Sequence, residues 1–250
     1  MFKTTDALVL REVRYKEADR ILTLLTSTDG KITAKAPGAL RKSSRIAAST
    51  QQLTFSEMTL FENRGKWSVK EAVIKEAFSG LRDDIEDFAL GSYFAECLES
   101  LAVEDQSDAA LLQLGLNSLY ALSRKLYQPE HVKSAFEFRL MCLAGYEPEL
   151  EHCAVCGNTE PPEPVLLLKR GSVGCRNCVR TSEEYALLDT DSLAALRYVV
   201  NAEAKKIFSF SVGDSSLVRL SSASEQYLLT HMERRFSTLD YWKNIRIRTI

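Results

Sequence analysis

Apolar and polar positions alternate with a period of two through the first eighty residues, then shift to a helical spacing. The run Asp6-Ala7-Leu8-Val9-Leu10-Arg11-Glu12-Val13-Arg14 is apolar in its middle and alternates toward its end. Arg20 to Thr26 is a second such run, and Lys31 to Ala36 alternates strictly. This is the pattern of strands that bury one face. Residues 52–62 and 66–75 supply two more, divided by Asn63-Arg64-Gly65, and Pro37-Gly38 ends the third. Between the second and third lies Asp29-Gly30, a pair that readily takes the positive φ angles of a type I′ hairpin turn. Five short antiparallel strands predict a small closed barrel. The OB-fold is its five-stranded form, and an SH3-like barrel shares the strand count.

The pattern changes near Ser79-Gly80. Asp83, Asp84, Glu86 and Asp87 gather where the positive end of a helix dipole favours acids, which predicts a helix start. Phe94, Cys97, Leu98 and Leu101 then share one face. A second helix is predicted over 108–126, with Leu112, Leu116, Leu119 and Leu126 along one side. A third follows Pro129, with Val132, Phe136, Leu140 and Leu143 inward and Gly145 at its end. Helical spacing returns after residue 181, over 191–200 and 224–236. These helices are expected to share one bundle core.

Between the two helical stretches stand Cys153-x-x-Cys156 and, after eighteen residues, Cys175-x-x-Cys178. Two such pairs at this separation predict one zinc ion: each pair turns two thiolates to one side of a tight knuckle, and two knuckles complete a tetrahedron. Four protein ligands leave no open position, so the zinc would be structural. Gly157 would relax the first knuckle so that amides can point at sulfur. His152 reads as a loop residue, and Cys97 and Cys142 as core thiols. The N-terminal stretch lacks an apolar run with a cleavage site, and no apolar run is long enough to span a bilayer, so an intracellular, cytoplasmic protein is expected.

The formal net charge of −2 hides an asymmetry. Residues 1–80 hold 14 Lys+Arg against 9 Asp+Glu, whereas residues 81–250 hold 18 against 25. A basic barrel points toward a polyanion. The loop Gly38-Ala39-Leu40-Arg41-Lys42-Ser43-Ser44-Arg45 has three cations and no acid, and Arg14, Lys16, Arg20, Lys31 and Lys35 stand around it. Such a loop can track a phosphate backbone. Tyr15 and Trp67 are candidate stacking platforms, while Phe55 and Phe61 read as core. No phosphate-binding glycine loop, dinucleotide fingerprint or nucleophile elbow is present, and no residue stands out as catalytic.

Together these features resemble the RecO family of bacterial recombination mediators. The resemblance is carried by Asp6 to Arg11, by Glu17-Ala18-Asp19-Arg20 running on to Thr26, by Gly30-Lys31-Ile32 through Gly38 with Ser44-Arg45 beyond, and by Leu143-Ala144-Gly145-Tyr146-Glu147-Pro148-Glu149-Leu150 leading into His152-Cys153. That last junction resembles the zinc-containing members. The resemblance implies an α+β multidomain chain: an N-terminal five-stranded β-barrel (OB-fold) over 1–80, an α-helical domain over 81–149 and 181–250, and a four-cysteine zinc module at 150–180 inserted in it. It implies no chemical reaction. It implies binding of single- and double-stranded DNA, annealing of complementary strands, and action with RecR and the C-terminal tail of single-stranded-DNA-binding protein to load recombinase in gap repair. The matching DNA contacts would be Lys35, Arg41, Lys42 and Arg45, with Arg14 and Arg20. Pro37 and Leu40 stand where relatives often carry cations. For the tail, Lys133 and Arg139 beside Val132, Phe136 and Leu140 are candidates. Two readings from other classes compete: a metal-dependent nuclease using the acids at 83–87, and a zinc-ribbon interaction module of transcription or translation.

Overall fold

The computed structural model describes residues 1–249, with side-chain surroundings through residue 246. The chain divides into two compact units, residues 1–126 with 236–250, and residues 127–235.

The first unit begins with five strands: β1 (Phe2–Tyr15), β2 (Asp19–Thr26), β3 (Gly30–Ala36), β4 (Phe55–Asn63) and β5 (Lys66–Glu76). They close in the order β1-β2-β3-β5-β4. The long β1 serves two neighbours, pairing with β4 through Phe2–Leu8 and with β2 through Ala7–Tyr15, with its register shifting between Val9 and Arg11. A short parallel pairing, Ala34 with Trp67 and Lys35 with Ser68, closes the barrel. This is the OB arrangement, and the SH3-like alternative drops out. The interior is filled by Ala7, Val9, Leu22, Leu24, Ile32, Ala34, Met58, Leu60 and Val69. Along β4 the inward positions are Ser56, Met58 and Leu60, so Phe55 and Phe61 are only half-buried rather than core. Phe61 instead meets the exposed Phe2 ring, centroids 4.8 Å apart, with the Lys70 ammonium 5.2 Å from its ring.

The turn chemistry differs from expectation in one place. Thr26 pairs with Gly30, so three residues intervene, and of Asp29-Gly30 only Gly30 takes positive φ (63°). The two-residue turn with both central residues at positive φ is Arg64 (52°) and Gly65 (74°), between the paired Asn63 and Lys66. Gly30 is required for a second reason. A Cβ there would lie 2.2 Å from the Gln106 carbonyl oxygen and 2.3 Å from that of Val103.

The helices of this unit are α1 (Ile85–Leu101), α2 (Ala109–Ser123) and α6 (Ser237–Thr249); α6 was not expected. Asp84 caps α1, its Oδ1 accepting the Glu86 N–H at 2.9 Å, and Asp108 caps α2 by accepting the Leu111 N–H at 2.8 Å. Tyr93 on α1 meets Phe236 edge-to-face at 5.6 Å. Leu126 lies past the end of α2 and is exposed, not part of an inner stripe.

The second unit holds α3 (Pro129–Leu143), α4 (Thr190–Asn201) and α5 (Asp214–Met232), which pack on one another, and a small antiparallel sheet of β6 (Pro164–Leu167), β7 (Ser172–Cys175) and β8 (Tyr185–Leu187) in the order β7-β6-β8. α5 starts ten residues before the expected 224. α3 is buried on nearly every side from His131 to Phe138, not along one stripe.

Candidate metal centre and nucleic-acid interface

The four cysteines converge. The turn after Cys153 is closed by the Gly157 N–H donating to the Cys153 carbonyl at 2.9 Å, with Gly157 at φ 73°. The β6–β7 hairpin pairs Pro164 with Cys175 and so carries Cys175 back to the first knuckle, and a single 3-10 turn over Arg176–Cys178 presents Cys178. The four sulfurs all lie within 4.8 Å of one another. That is a donor set able to hold a metal ion, and four soft sulfurs in a tetrahedral set suit zinc. The Cys175 N–H donates to the Cys153 Sγ at 3.3 Å. Burial alone would raise the Cys153 thiol, but the amides of Cys156, Cys175 and Val155 outweigh it and lower it to about 6. Burial and the neighbouring Cys156 push Cys175 up to about 12. A cation among the sulfurs would favour thiolate throughout. The knuckle is tied to α4 by Arg197, whose Nε donates to the Leu150 carbonyl at 2.8 Å and whose terminal nitrogen donates to those of Glu151 and Thr159. Cys97 and Cys142 lie outside the cluster on α1 and α3. His152 is exposed beside it.

The sequence-predicted cations occupy one end of the barrel in different states. Arg41, Lys42 and Arg45 are exposed on the β3–β4 loop, and Arg14 is exposed near the end of β1. None of the four is in an ion pair among the described residues. Lys35 is paired with Asp19, Nζ to Oδ2 2.8 Å, and its ammonium stands 5.5 Å from the Tyr15 ring, as does that of Lys16. Arg20 is turned inward. Its Nε is 3.2 Å from the Glu12 carboxylate, and its NH1 donates to the Ala47 carbonyl at 2.7 Å and to Thr50 Oγ1 at 2.9 Å. Lys31 does not join them: it stands at the opposite end of β3, paired with Leu25, and donates to the Glu99 carbonyl at 3.2 Å.

Sequence reasoning missed Arg64 and Lys66. Both are exposed on the β4–β5 turn. The parallel pairing of β3 with β5 brings that turn alongside Lys35, with the half-buried Trp67 next to Ala34. In OB-folds this turn and the β1–β2 turn flank the ligand-binding face. The signal was the strand order itself, which charge counting does not show.

Two of the acids at 83–87, Asp84 and Asp87, are engaged structurally. Lys125 reaches Asp84 at 3.0 Å and Asp87 at 3.5 Å, and Asp84 also caps α1. The candidates for tail binding are not available either. Lys133 is buried against Glu137 and Glu225, and Arg139 donates to the Val200 carbonyl at 2.6 Å. Among the described residues no helix is long and apolar enough to cross a membrane.

Two family models match the chain, one described as Recombination protein O N terminal over residues 1–78 and one as Recombination protein O C terminal over residues 82–240. The chain belongs to the RecO family. The border between the two RecO models falls where β5 gives way to α1. Similar proteins include the DNA repair protein RecO of Acetivibrio thermocellus, 32% identical over 241 residues and 96% of both chains. That of Heliobacterium modesticaldum is 33% identical over 234 residues, 91% of this chain and 84% of the relative. That of Alkaliphilus metalliredigens is 28% identical over 246 residues, 98% of this chain and all of the relative.

Proposed function

We propose that this RecO-family chain is a non-enzymatic DNA-binding mediator of recombination, which neutralises the phosphates of complementary strands and so promotes their annealing. The observation that carries this reading is the OB barrel with Arg14, Arg41, Lys42 and Arg45 exposed and, among the described residues, outside any ion pair, beside Lys35 and Tyr15. Two phosphate backbones repel each other, and cations that bind both lower that barrier without making or breaking a covalent bond. Arg64 and Lys66 extend the surface. The nuclease reading loses its support, because Asp84 caps α1 and pairs with Lys125, which also reaches Asp87, and among the described residues only the four cysteines form a cluster able to hold a metal ion. By the family resemblance, the mediator acts with RecR and the tail of single-stranded-DNA-binding protein to load recombinase in gap repair, in the bacterial cytoplasm. The four cysteines hold one structural zinc ion within residues 150–180. The barrel over 1–80 is the DNA-binding domain, and of the helices in 81–149 and 181–250 it is α3, α4 and α5 that carry the zinc module.

Complementary oligonucleotides mixed with the protein at two salt concentrations test this. Annealing should accelerate at low salt. Replacing Arg41, Lys42 and Arg45 together by Ala should flatten the dependence of log affinity on log salt by about 2 for single strands, near 0.7 per lost contact. Unchanged affinity and slope, with no annealing by the wild type, would overturn the reading.

A further inference from the structure

Within the β3–β4 loop, the cationic stretch of residues 38–45 has two backbone hydrogen bonds of its own among the described residues. Within it the Arg41 N–H donates to the Gly38 carbonyl and the Ser44 N–H to the Arg41 carbonyl, both at 3.0 Å. Yet both of its ends are fixed to the barrel, and the fixing groups are consecutive residues. At the first end the Gly38 N–H donates to Asp19 Oδ1 at 2.7 Å, while Asp19 Oδ2 holds Lys35. The Leu40 N–H donates to the Ala18 carbonyl at 2.9 Å, and Ala39 is buried. Gly38 sits at φ 67° with the Arg41 side chain running past it. At the other end Arg20 grips the Ala47 carbonyl and Thr50 Oγ1, Thr50 Oγ1 donates to the Ile46 carbonyl at 2.6 Å, and Ile46 packs on the barrel core. Between the two fixed ends project Arg41, Lys42 and Arg45.

We infer that Asp19 and Arg20 are positioning residues that clamp the two ends of the cationic loop, and that Arg20 acts through this loop instead of touching phosphate itself. The inference rests on the DNA-binding reading of that loop. The Arg20 side chain is 12% exposed and already shares its guanidinium among Glu12, Ala47 and Thr50. To reach a phosphate it would have to leave Glu12 partly buried without its partner. Fixing the loop beforehand removes the ordering cost that a slack loop meets when it binds DNA. Lysine cannot replace the arginine here, since one ammonium does not span the carboxylate, the carbonyl and the hydroxyl as a planar fork does. Asparagine can partly replace Asp19, because it keeps an oxygen for the Gly38 N–H, although its amide nitrogen then faces Lys35 and both the charge and the acceptor for that ammonium are lost.

The clamp is tested on the full chain without DNA by trypsin, which cuts after Arg41, Lys42 and Arg45. Such cutting follows the population of the opened loop. Arg20→Ala and Asp19→Ala should each speed cleavage there by about fivefold or more, and Asp19→Asn by less than about twofold. Arg20→Lys keeps the charge, allows the fold to be checked by its melting, and should also be cut faster. Unchanged cleavage in Arg20→Ala and Arg20→Lys would overturn the clamp. A DNA-binding cycle asks the second half. Arg20→Ala should weaken binding about tenfold in the wild-type loop, and less than about twofold once Arg41, Lys42 and Arg45 are all Ala. An equal loss in both backgrounds would make Arg20 a phosphate contact and overturn the inference. If the triple variant itself binds DNA like wild type, the DNA-binding reading fails, and the trypsin result still decides the clamp.

Discussion

The Lys133 ammonium lies 3.0 Å from the Glu137 carboxylate, one turn along α3, and neither side chain reaches solvent. Glu225 on α5 approaches the same ammonium at 3.1 Å, and Ser224 donates its hydroxyl to Glu137. The pair thus fixes the register of α5 on α3. Removing one member strands a buried charge, which costs about 3–5 kcal/mol, whereas replacing both by apolar groups of similar volume is often neutral. Lys133→Met should therefore lower the unfolding free energy by about that amount, and Lys133→Met with Glu137→Leu should recover more than half of it. Denaturant unfolding of the two variants checks this, and a single variant within about 1 kcal/mol of wild type would show the pair to be energetically idle.

Gly30 and Gly65 both take positive φ, but only Gly30 is crowded. An alanine at Gly65 meets nothing within 4 Å, so its cost is the backbone strain alone, about 1 kcal/mol. At Gly30 a methyl group would strike the carbonyls of Val103 and Gln106, and the Lys31 N–H bond to Val103 at 2.9 Å would have to shift. Gly30→Ala should therefore cost at least about 2 kcal/mol more than Gly65→Ala in urea unfolding. Equal losses would mean that the segment after α1 yields easily.

These two glycines also show where the sequence was legible and where it was not. Asp29-Gly30 and Arg64-Gly65 both announce a turn, and both turns are present. Which of the two is type I′ depends on the strand register and on a segment some seventy residues away, which local chemistry cannot report. Strands were legible where inward and outward residues alternate, as from Gly30 to Ala36. They were missed at β6 and β7, where all four residues are buried with no second face to mark a period, and at β8, whose three residues are too few to show one. The first half of α5 was hidden because Ser215, Ser216, Ser221 and Ser222 read as loop. The four cysteines needed only spacing to be found, since a tetrahedral donor set dictates it. Charge counting located the basic barrel end, but a cation's partners are tertiary. Arg20 and Lys133 looked as free as Arg41 and are not.

His131 stacks between Tyr127, at 4.7 Å and 15°, and Phe210, at 3.8 Å and 13°, with Nε2 3.0 Å from the Phe208 carbonyl. Burial holds its imidazole below the usual value, against the opposing pull of that carbonyl, and burial acts the same way on His231. A histidine with a lowered folded value binds its proton more readily in the unfolded chain. Its contribution to stability is therefore complete above the unfolded value, near 6.5, and is lost as pH falls below it. The melting temperature should be level from about pH 8 to 7 and fall between about pH 6.5 and 5.5. His131→Phe keeps the ring stack, gives up the bond to Phe208, and should make that fall shallower. A fall of unchanged steepness would assign it to other groups.

Replacing one cysteine ligand separates two roles that a four-cysteine module could have. Two of the module's cations are paired, Lys169 3.1 Å from Glu184 and Arg170 3.4 Å from Glu183, and Arg176 lies 4.4 Å from the Tyr185 ring, which leaves the exposed Arg180. The module's sheet bears on the helices, with β8 packed on α5 and Arg197 of α4 holding the first knuckle by three carbonyls. Structural zinc contributes its binding free energy to folding, so Cys175→Ser, or chelation of the metal, should lower the melting temperature by about 10 °C or more. DNA affinity per folded molecule should change less than about twofold, because no cation of the barrel loop depends on these sulfurs. The opposite outcome, intact melting with a large loss of affinity, would turn the module into a DNA contact and move the proposed interface away from Arg41, Lys42 and Arg45.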